Sequence, residues 1–410
     1  MSHASAIVLV VDRLGAGHLG PYGNTWLDTP HFNRLAARSL VCETVLADSP
    51  DLAAAYRGWW TGRHVLEAEV ASSVPLPARA AASGAATLLV TDDPAVADDP
   101  LAAGFAKRVI VETRTPARTC AEVEQTGLFR LFASAIESIE RSQTPMLAWI
   151  HARGMAGPWD APRAYRERLA DPEDPPPPDL IAPPERRLDR HVDPDEVLGL
   201  VQAYGGQVQL VDECLGLLLE ALERLPRADE TLFAVTSPRG YPLGEHGRVG
   251  PCDEALYSEL LQVPLMIQFP RGEGRLQRTQ HIVQPADLFA TLADACGFGE
   301  LAADERDASL LAHIRGDSRR VRNLACATGP NQRAIRTAAW YLREIREHAE
   351  PRYELFAKPD DRWEANEVSS RCEEVAALLA AELDRFEQAA RAGELAKLAS
   401  SAEILQDIWR

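Results

Sequence analysis

The sequence predicts an α/β protein built as a three-layer α/β/α sandwich, with a large, mostly parallel sheet between two layers of helices. Three observations carry that reading. Residues 7–11 (IVLVV) form an unbroken β-branched and leucine run, too short for a buried helix and followed at once by turn chemistry, as in a central strand covered on both faces. Further buried-strand runs at 86–91, 146–151 and 231–236 alternate with stretches of helical periodicity over the first 300 residues. Beyond residue 323 the pattern changes to short strands followed by an amphipathic helix, which suits a small C-terminal antiparallel sheet. The expected division is therefore 1–320 for the sandwich and 321–410 for a C-terminal subdomain.

Taken in order, the first strand ends at Asp12, where open α/β sheets place their ligands. Gly15, Gly17, Gly20 and Gly23 then let the chain leave it tightly. Thr29-Pro30 reads as a capping hydroxyl followed by proline at the first helical position, opening a short helix to about residue 39. A strand at 40–46, a helix closed by Thr61-Gly62-Arg63 and a proline- and alanine-rich helix from Leu76 lead to the 86–91 strand. A weaker strand at 108–112 follows. Apolar residues at 128, 131, 132, 135, 136 and 139 give a helical period within 122–141. Residues 171–195 (DPEDPPPPDLIAPPERRLDRHVDPD) are too rich in proline for helix or central strand and predict an extended surface excursion. A long helix carrying Val208, Val211, Leu215, Leu218, Leu222 and Leu225 on one face comes next, then strands at 231–236 and 263–269 and a helix over 285–296. Short strands at 333–337, 340–345 and 353–356 precede a helix from 373, and 395–409 reads as a second helix or a frayed end.

Composition narrows the partners. At 410 residues and 46% apolar content the chain can bury a large core, and its formal net charge of −18 argues against nucleic acid or an anionic membrane as a partner. Seven cysteines, odd in number and without CxxC spacing, read as small core residues of a reduced compartment. No run reaches the roughly 18 apolar residues of a membrane span, and the first residues carry no basic leader. The expected location is cytoplasmic.

VVDRLGAGHLGPYG followed by TPHFNRLAARS resembles the opening of a sulfatase, in the alkaline phosphatase superfamily, where V-D-D-L-R-x-D-x-L-G-C-Y-G precedes T-P-N-L-D-x-L-A. The resemblance continues in VDECLGLLLEALERLPRADETLFAVTSPRGYPLGEHG, QVPLMIQFP, PADLFATLADACGF, RAIRTAAWYLRE and YELFAKPDDRWEANEV, so it runs through nearly the whole chain in one order. It implies the sulfatase fold and, in a typical member, sulfuric ester hydrolysis with a divalent cation such as calcium and a formylglycine nucleophile.

The departures fall at the chemistry. Where the resemblance implies two consecutive aspartates, the chain has Asp12 and Arg13, and the usual T-S-D-H-G has become Thr236-Ser237-Pro238-Arg239-Gly240. Asp12, Arg13, Pro238 and Arg239 thus stand at the metal-site positions, and one carboxylate facing two guanidinium groups is no match for a hard cation that takes about 6–8 oxygen ligands. Counting back from Thr61-Gly62-Arg63 puts Leu52 at the nucleophile position, whereas aligning Arg57 with the motif's arginine puts Ala53 there. Neither side chain converts to an aldehyde hydrate. The histidine region of the family reads Ala156-Gly157-Pro158-Trp159, and the basic residue expected after GEHG is replaced near Pro251.

The expected protein is therefore a sulfatase-like pseudoenzyme, without metal or formylglycine, acting in binding of an anion or a partner. Asp12 with Arg13 or Arg239 reads either as a charge pair plugging the metal cavity or as part of an anion pocket. In the second reading Arg13, Arg239, His151 and His246 meet a small sulfated or phosphorylated ligand. Two rivals stand beside this. One is a divergent hydrolase of sulfate or phosphate esters rebuilt around Asp12, His18, His151 or His246. The other is a structural subunit paired with an active relative. Trp59 and Trp60 read as core, and Asp92-Asp93-Pro94 as turn chemistry. The resemblance also requires the strand ends at Asp12 and Thr236 to lie side by side.

Overall fold

The computed structural model describes residues 4–68, 74–142, 145–316, 322–398 and 405–406. Ten strands lie in the first three quarters of the chain: β1 (Ser5–Val11), β2 (Leu40–Val45), β3 (Ala86–Thr91), β4 (Lys107–Ile110), β5 (Met146–Ala152), β6 (Arg186–Arg187), β7 (Thr231–Thr236), β8 (Arg248–Val249), β9 (Leu265–Gln268) and β10 (Gln277–Val283). Eight of them form one sheet in the order β10-β2-β9-β7-β1-β5-β3-β4, and β6 pairs with β8 as a two-residue ribbon. Every pairing in the large sheet is parallel except those of β9 with β2 and β7.

Period-two alternation along β1 shows why the run is apolar throughout. Ile7, Leu9 and Val11 enter one core with Phe32, Leu131, Val211 and Leu215, from the helices Pro30–Ala36, Gly127–Glu140 and Pro194–Glu223. Ala6, Val8 and Val10 enter the opposite core with Trp59, Trp60, Leu76 and Leu288, from the helices Leu52–Thr61, Leu76–Ala82 and Pro285–Cys296. Both tryptophans are buried there, as expected of core residues. Burying each face of β1 removes whole aliphatic side chains from water, worth roughly 1.5–3 kcal/mol apiece.

Four further strands, β11 (Leu324–Thr328), β12 (Gln332–Thr337), β13 (Trp340–Ile345) and β14 (Arg352–Ala357), make the antiparallel C-terminal sheet. One face packs Ile335, Leu342 and Leu355 against Leu379, Leu383 and Phe386 of the helix Glu373–Arg391. The other face lays Ala325, Ala334, Tyr341 and Phe356 on Leu46, Leu256, Leu260 and Ile282 of the larger sheet's loops and edge. All seven cysteines are free, and no helix among the described residues is long and apolar enough to cross a membrane.

Several local expectations are corrected. Thr29 does not cap its helix; its hydroxyl accepts from Gly20 N at 3.0 Å, while Asp212 supplies the capping oxygens to His31 N and Phe32 N at 3.2 and 2.8 Å. A long-range carboxylate has replaced the local hydroxyl at the orphan N–H groups. The helix within 122–141 begins only at Gly127, with Thr126 as its cap. Arg186–Arg187 of the proline-rich excursion pairs with β8 outside the large sheet, as an extended excursion allows, but the long helix starts at Pro194, inside the excursion's expected bounds. β10 and β11 were not expected from the sequence. Leu395–Lys397 makes one short helical turn, and most of 399–410 lies outside the described residues.

His64 ties the loop after the helix Leu52–Thr61 to the C-terminal sheet. Its Nε2–H donates to Cys326 O at 3.0 Å, its Nδ1 accepts from Leu66 N at 3.2 Å, and its ring packs edge-on against Phe386. That tautomer is neutral, and burial, with Arg322 adding to it, pushes the pKa down to about 4. The unfolded chain, with an ordinary histidine, binds the extra proton first. This tie's contribution, on the order of 3 kcal/mol, is therefore present above pH 6.5 and lost as pH falls through about 4. Denaturant titrations from pH 7 to 4 should lose less stability in His64→Gln, whose amide still donates to Cys326 O, than in wild type.

Candidate functional site: an arginine–carboxylate ring at the strand ends

β1 and β7 run side by side in the register Val10 opposite Thr236, so Asp12 and Arg239 leave the sheet at neighbouring points. Asp12 is fixed by its backbone, which donates to Ala152 O at 2.9 Å and accepts from Met155 N at 3.0 Å. That approach needs glycine at 154: φ there is +51°, and a Cβ would sit 2.5 Å from Val11 Cγ1 and 2.9 Å from Asp12 O. Arg13 takes a left-handed φ of +60°, rare for a long side chain and held from outside. The Tyr204 hydroxyl donates to Arg13 O at 2.8 Å and accepts from Gly15 N at 3.1 Å. Ser237 Oγ accepts from Leu14 N and donates to Arg239 O, knitting the two loops together.

Four charged side chains form an open ring here, linked in the order Asp12, Arg239, Asp253, Arg13. Arg239 forks onto Asp12, Nε to Oδ1 and Nη2 to Oδ2, both at 3.0 Å. Arg13 forks onto Asp253, Nη1 to Oδ1 at 3.0 Å and Nη2 to Oδ2 at 2.9 Å. Arg239 Nη1 joins the pairs by donating to Asp253 Oδ2 at 3.3 Å and to Pro50 O at 2.8 Å. Asp12 is 1% exposed and Arg13 3%, whereas the Asp253 side chain keeps 34% of its surface, so Asp253 forms the outer rim. Burial opposes the charged guanidinium of Arg239, but Asp12 and Asp253 outweigh it and hold the group above the usual arginine range.

All four carboxylate oxygens of Asp12 and Asp253 are thus engaged by guanidinium N–H groups. Among the described residues no cluster of three or more His, Cys, Asp or Glu side chains is arranged to hold a metal ion. Pro238 is buried beside Arg239 and offers no side-chain ligand. Leu52 and Ala53 open the helix Leu52–Thr61, whose N-cap Asp51 follows the carbonyl that receives Arg239. The residues at the expected nucleophile position therefore stand beside the ring.

The histidines have other partners. His151, fully buried at the end of β5, meets Tyr56 through Nδ1 at 2.7 Å, and Trp149 Nε1 donates to the Tyr56 hydroxyl at 3.4 Å. Nε2 of His151 lies 3.6 Å from Asp93 Oδ2, beyond hydrogen-bond distance. Burial, with Asp12 and Asp93 adding to it, pushes the Tyr56 phenol well above its usual range. Burial also opposes ionisation of Asp93, but His151 and Ala95 N outweigh it and hold the carboxyl low, while burial raises Asp92. Asp93 caps Pro94–Ala97, so the aspartate pair does serve as turn chemistry.

His246 donates to Glu259 Oε1 at 2.8 Å and to Glu364 O at 3.2 Å, and stacks on Tyr257 at 3.6 Å. Burial opposes its protonation, but Glu259 outweighs burial and raises the pKa. His18 packs half-buried against Tyr204, its pKa lowered to about 4 by desolvation and by Arg362. Sequence reasoning brought Asp12, Arg13 and Arg239 together, and they do meet, but it missed Asp253, Tyr204 and Tyr56. The signal for Asp253 was charge: two buried arginines and one aspartate need a second carboxylate.

The fold and the placement of the site at the carboxyl ends of its central strands define an alkaline-phosphatase-like α/β/α protein. The sulfatase family model matches residues 101–298. The chain is 34% identical over 107 residues to an N-acetylglucosamine-6-O-sulfatase of Bacteroides thetaiotaomicron, covering 26% of this chain and 19% of that protein. It is 26% identical over 187 residues to a sulfatase of Formosa agariphila, covering 44% and 36%. It thus spans well under half the length of these relatives. Among solved structures, the phosphonate monoester hydrolase of Agrobacterium radiobacter superposes with a TM-score of 0.75 at 16% identity, covering 96% of each chain. A structure in complex with its substrate D-glucosamine-2-N,6-O-disulfate superposes with a TM-score of 0.76 at 15% identity, covering 97% of this chain and 98% of that one. The family-model match over residues 101–298, these relatives and the shared fold support membership of the sulfatase/alkaline phosphatase superfamily.

Removing one member of a buried pair strands its partner's charge. Asp12→Ala should lower unfolding free energy by about 3–5 kcal/mol in urea. Asp253→Ala, at the solvent rim, should cost less.

Proposed function

We propose that this protein keeps the sulfatase fold as a recognition device and does not hydrolyse sulfate esters. The observation that carries the proposal is the open ring in which Asp12, Arg239, Asp253 and Arg13 are linked in that order. A divalent cation does not fit this donor set, because each carboxylate oxygen already faces a guanidinium N–H and two positive charges stand within the ring. Leu52 and Ala53 carry no heteroatom for covalent catalysis. Cation and nucleophile act as a unit in such chemistry, so loss of both leaves little for either position to do alone. The structural neighbours named above act on a phosphonate monoester and on a sulfated glucosamine. A small molecule bearing a tetrahedral oxyanion is accordingly the ligand class, with a protein partner as the other class of occupant.

One observation favours the rival reading of a rebuilt hydrolase. The Tyr56–His151–Asp93 chain has the order of a nucleophile, a base and an orienting carboxylate. Its Tyr56 is 1% exposed and its phenol is pushed towards the neutral form, so no substrate atom reaches a competent oxygen. The test is turnover of aryl sulfate and aryl phosphate esters in buffers with calcium, magnesium or manganese. No release of the phenol above that of an Asp12→Ala control is expected. Turnover abolished by Asp12→Ala would overturn the proposal, and turnover abolished by Tyr56→Phe would establish the rebuilt site instead.

A further inference from the structure

Asp253 occupies the arginines in the manner of a ligand. Its two oxygens take the whole Arg13 fork at 3.0 and 2.9 Å and one arm of Arg239 at 3.3 Å, the bidentate geometry in which guanidinium groups hold sulfate or phosphate. Asp12 binds Arg239 through a separate edge, Nε and Nη2, and is buried beneath it. The two carboxylates are therefore not equivalent: Asp12 is a fixed counter-ion, and Asp253, a third exposed, is the one that solvent reaches.

We propose that Asp253 is a tethered plug in a tetrahedral-oxyanion site formed by Arg13 and Arg239, and that a sulfate or phosphate group binds by displacing it. This rests on the non-hydrolytic reading only in taking the ring as the resident charge of the site. With Asp253 in place the ring is neutral, two carboxylates against two guanidinium groups. With Asp253 withdrawn, Asp12 still pairs with Arg239, but Arg13 is left with a long contact of 3.5 Å to Gly240 O. An unpaired buried guanidinium is costly, so the plug leaves only when another oxyanion replaces it. Asp253 stands on a short loop anchored at both ends, by Gly250 N on Pro242 O and Leu256 N on Gln332 Oε1, while the backbone amides of Cys252 and Ala255 between them bond only within the loop, to Gly250 O and Cys252 O. Glu254, next to the plug, is tied to Arg248 and to Arg187 of the proline-rich excursion, linking the plug to that surface.

Equilibrium dialysis against labelled sulfate, at ionic strength held constant with chloride, tests the proposal. Asp253→Asn keeps the shape and removes the competing charge, and should bind one sulfate per chain about tenfold or more tightly than wild type. Adding Arg13→Gln to Asp253→Asn should abolish the gain. A folded Asp253→Asn that binds no tighter than wild type overturns the proposal, as does a gain that survives Arg13→Gln. Hydrogen exchange on wild type covers the case in which Asp253→Asn does not fold: sulfate should speed exchange over residues 250–257 relative to chloride, and unchanged exchange overturns the plug. Ester turnover in the assay above would sink the non-hydrolytic reading without touching these results, and a negative dialysis would leave that reading standing.

Discussion

The fork between Arg239 and the buried Asp12 is the constraint to which the rest of this site answers. A carboxylate at the end of the central strand of an α/β sheet sits where the sheet's ligands bind, and burial to 1% exposure forbids leaving it unpaired. Arg239 meets that need, but brings its own charge and a third nitrogen, Nη1, to satisfy, and Arg13 brings a second guanidinium. Asp253 and the carbonyls of Pro50 and Gly240 complete the set. The arrangement's charges balance only when Asp253, or another oxyanion in its place, completes the set. Its left-handed Arg13 and its glycine at 154 are backbone costs accepted to bring them together.

Much of the fold was legible because its core elements obey one period cleanly. Thr231–Thr236 and Pro285–Cys296 fall where an unbroken apolar run and a proline-started, glycine-ended helix predict them, and Gly297 takes the left-handed conformation that ends the helix. Two strands were not legible for physical reasons. β10, QRTQHIV, is an edge strand with polar residues on its open side, so its hydrophobic pattern is half missing. β11, LACAT, is built from small residues with little β-propensity and is buried by the sheet around it. The reversed direction of β9 leaves no trace in a run of four apolar-rich residues, since parallel and antiparallel strands of a covered sheet share one pattern.

The site was legible in its inner half. Asp12, Arg13 and Arg239 follow from strand ends and from motifs in sequence order, and adjacency of β1 and β7 brings them together. Asp253 was not, because it stands on a loop whose path depends on tertiary packing and it belongs to no local pattern. The same limit applies to Asp212 capping a helix 180 residues earlier and to Tyr204 bracing Arg13 from the long helix. His246 illustrates the reverse case: a motif singled it out, yet its hydrogen bonds go to Glu259 and Glu364, a rivet between the larger sheet's loops and the C-terminal sheet.

The central claim is that guanidinium groups stand where the superfamily resemblance implies a cation. Calorimetric titration of the purified protein with calcium, after exhaustive chelation, addresses it most directly. The ring predicts no saturable one-to-one binding and the same weak heat in wild type as in Asp12→Asn. A stoichiometric calcium site that disappears in Asp12→Asn would contradict it.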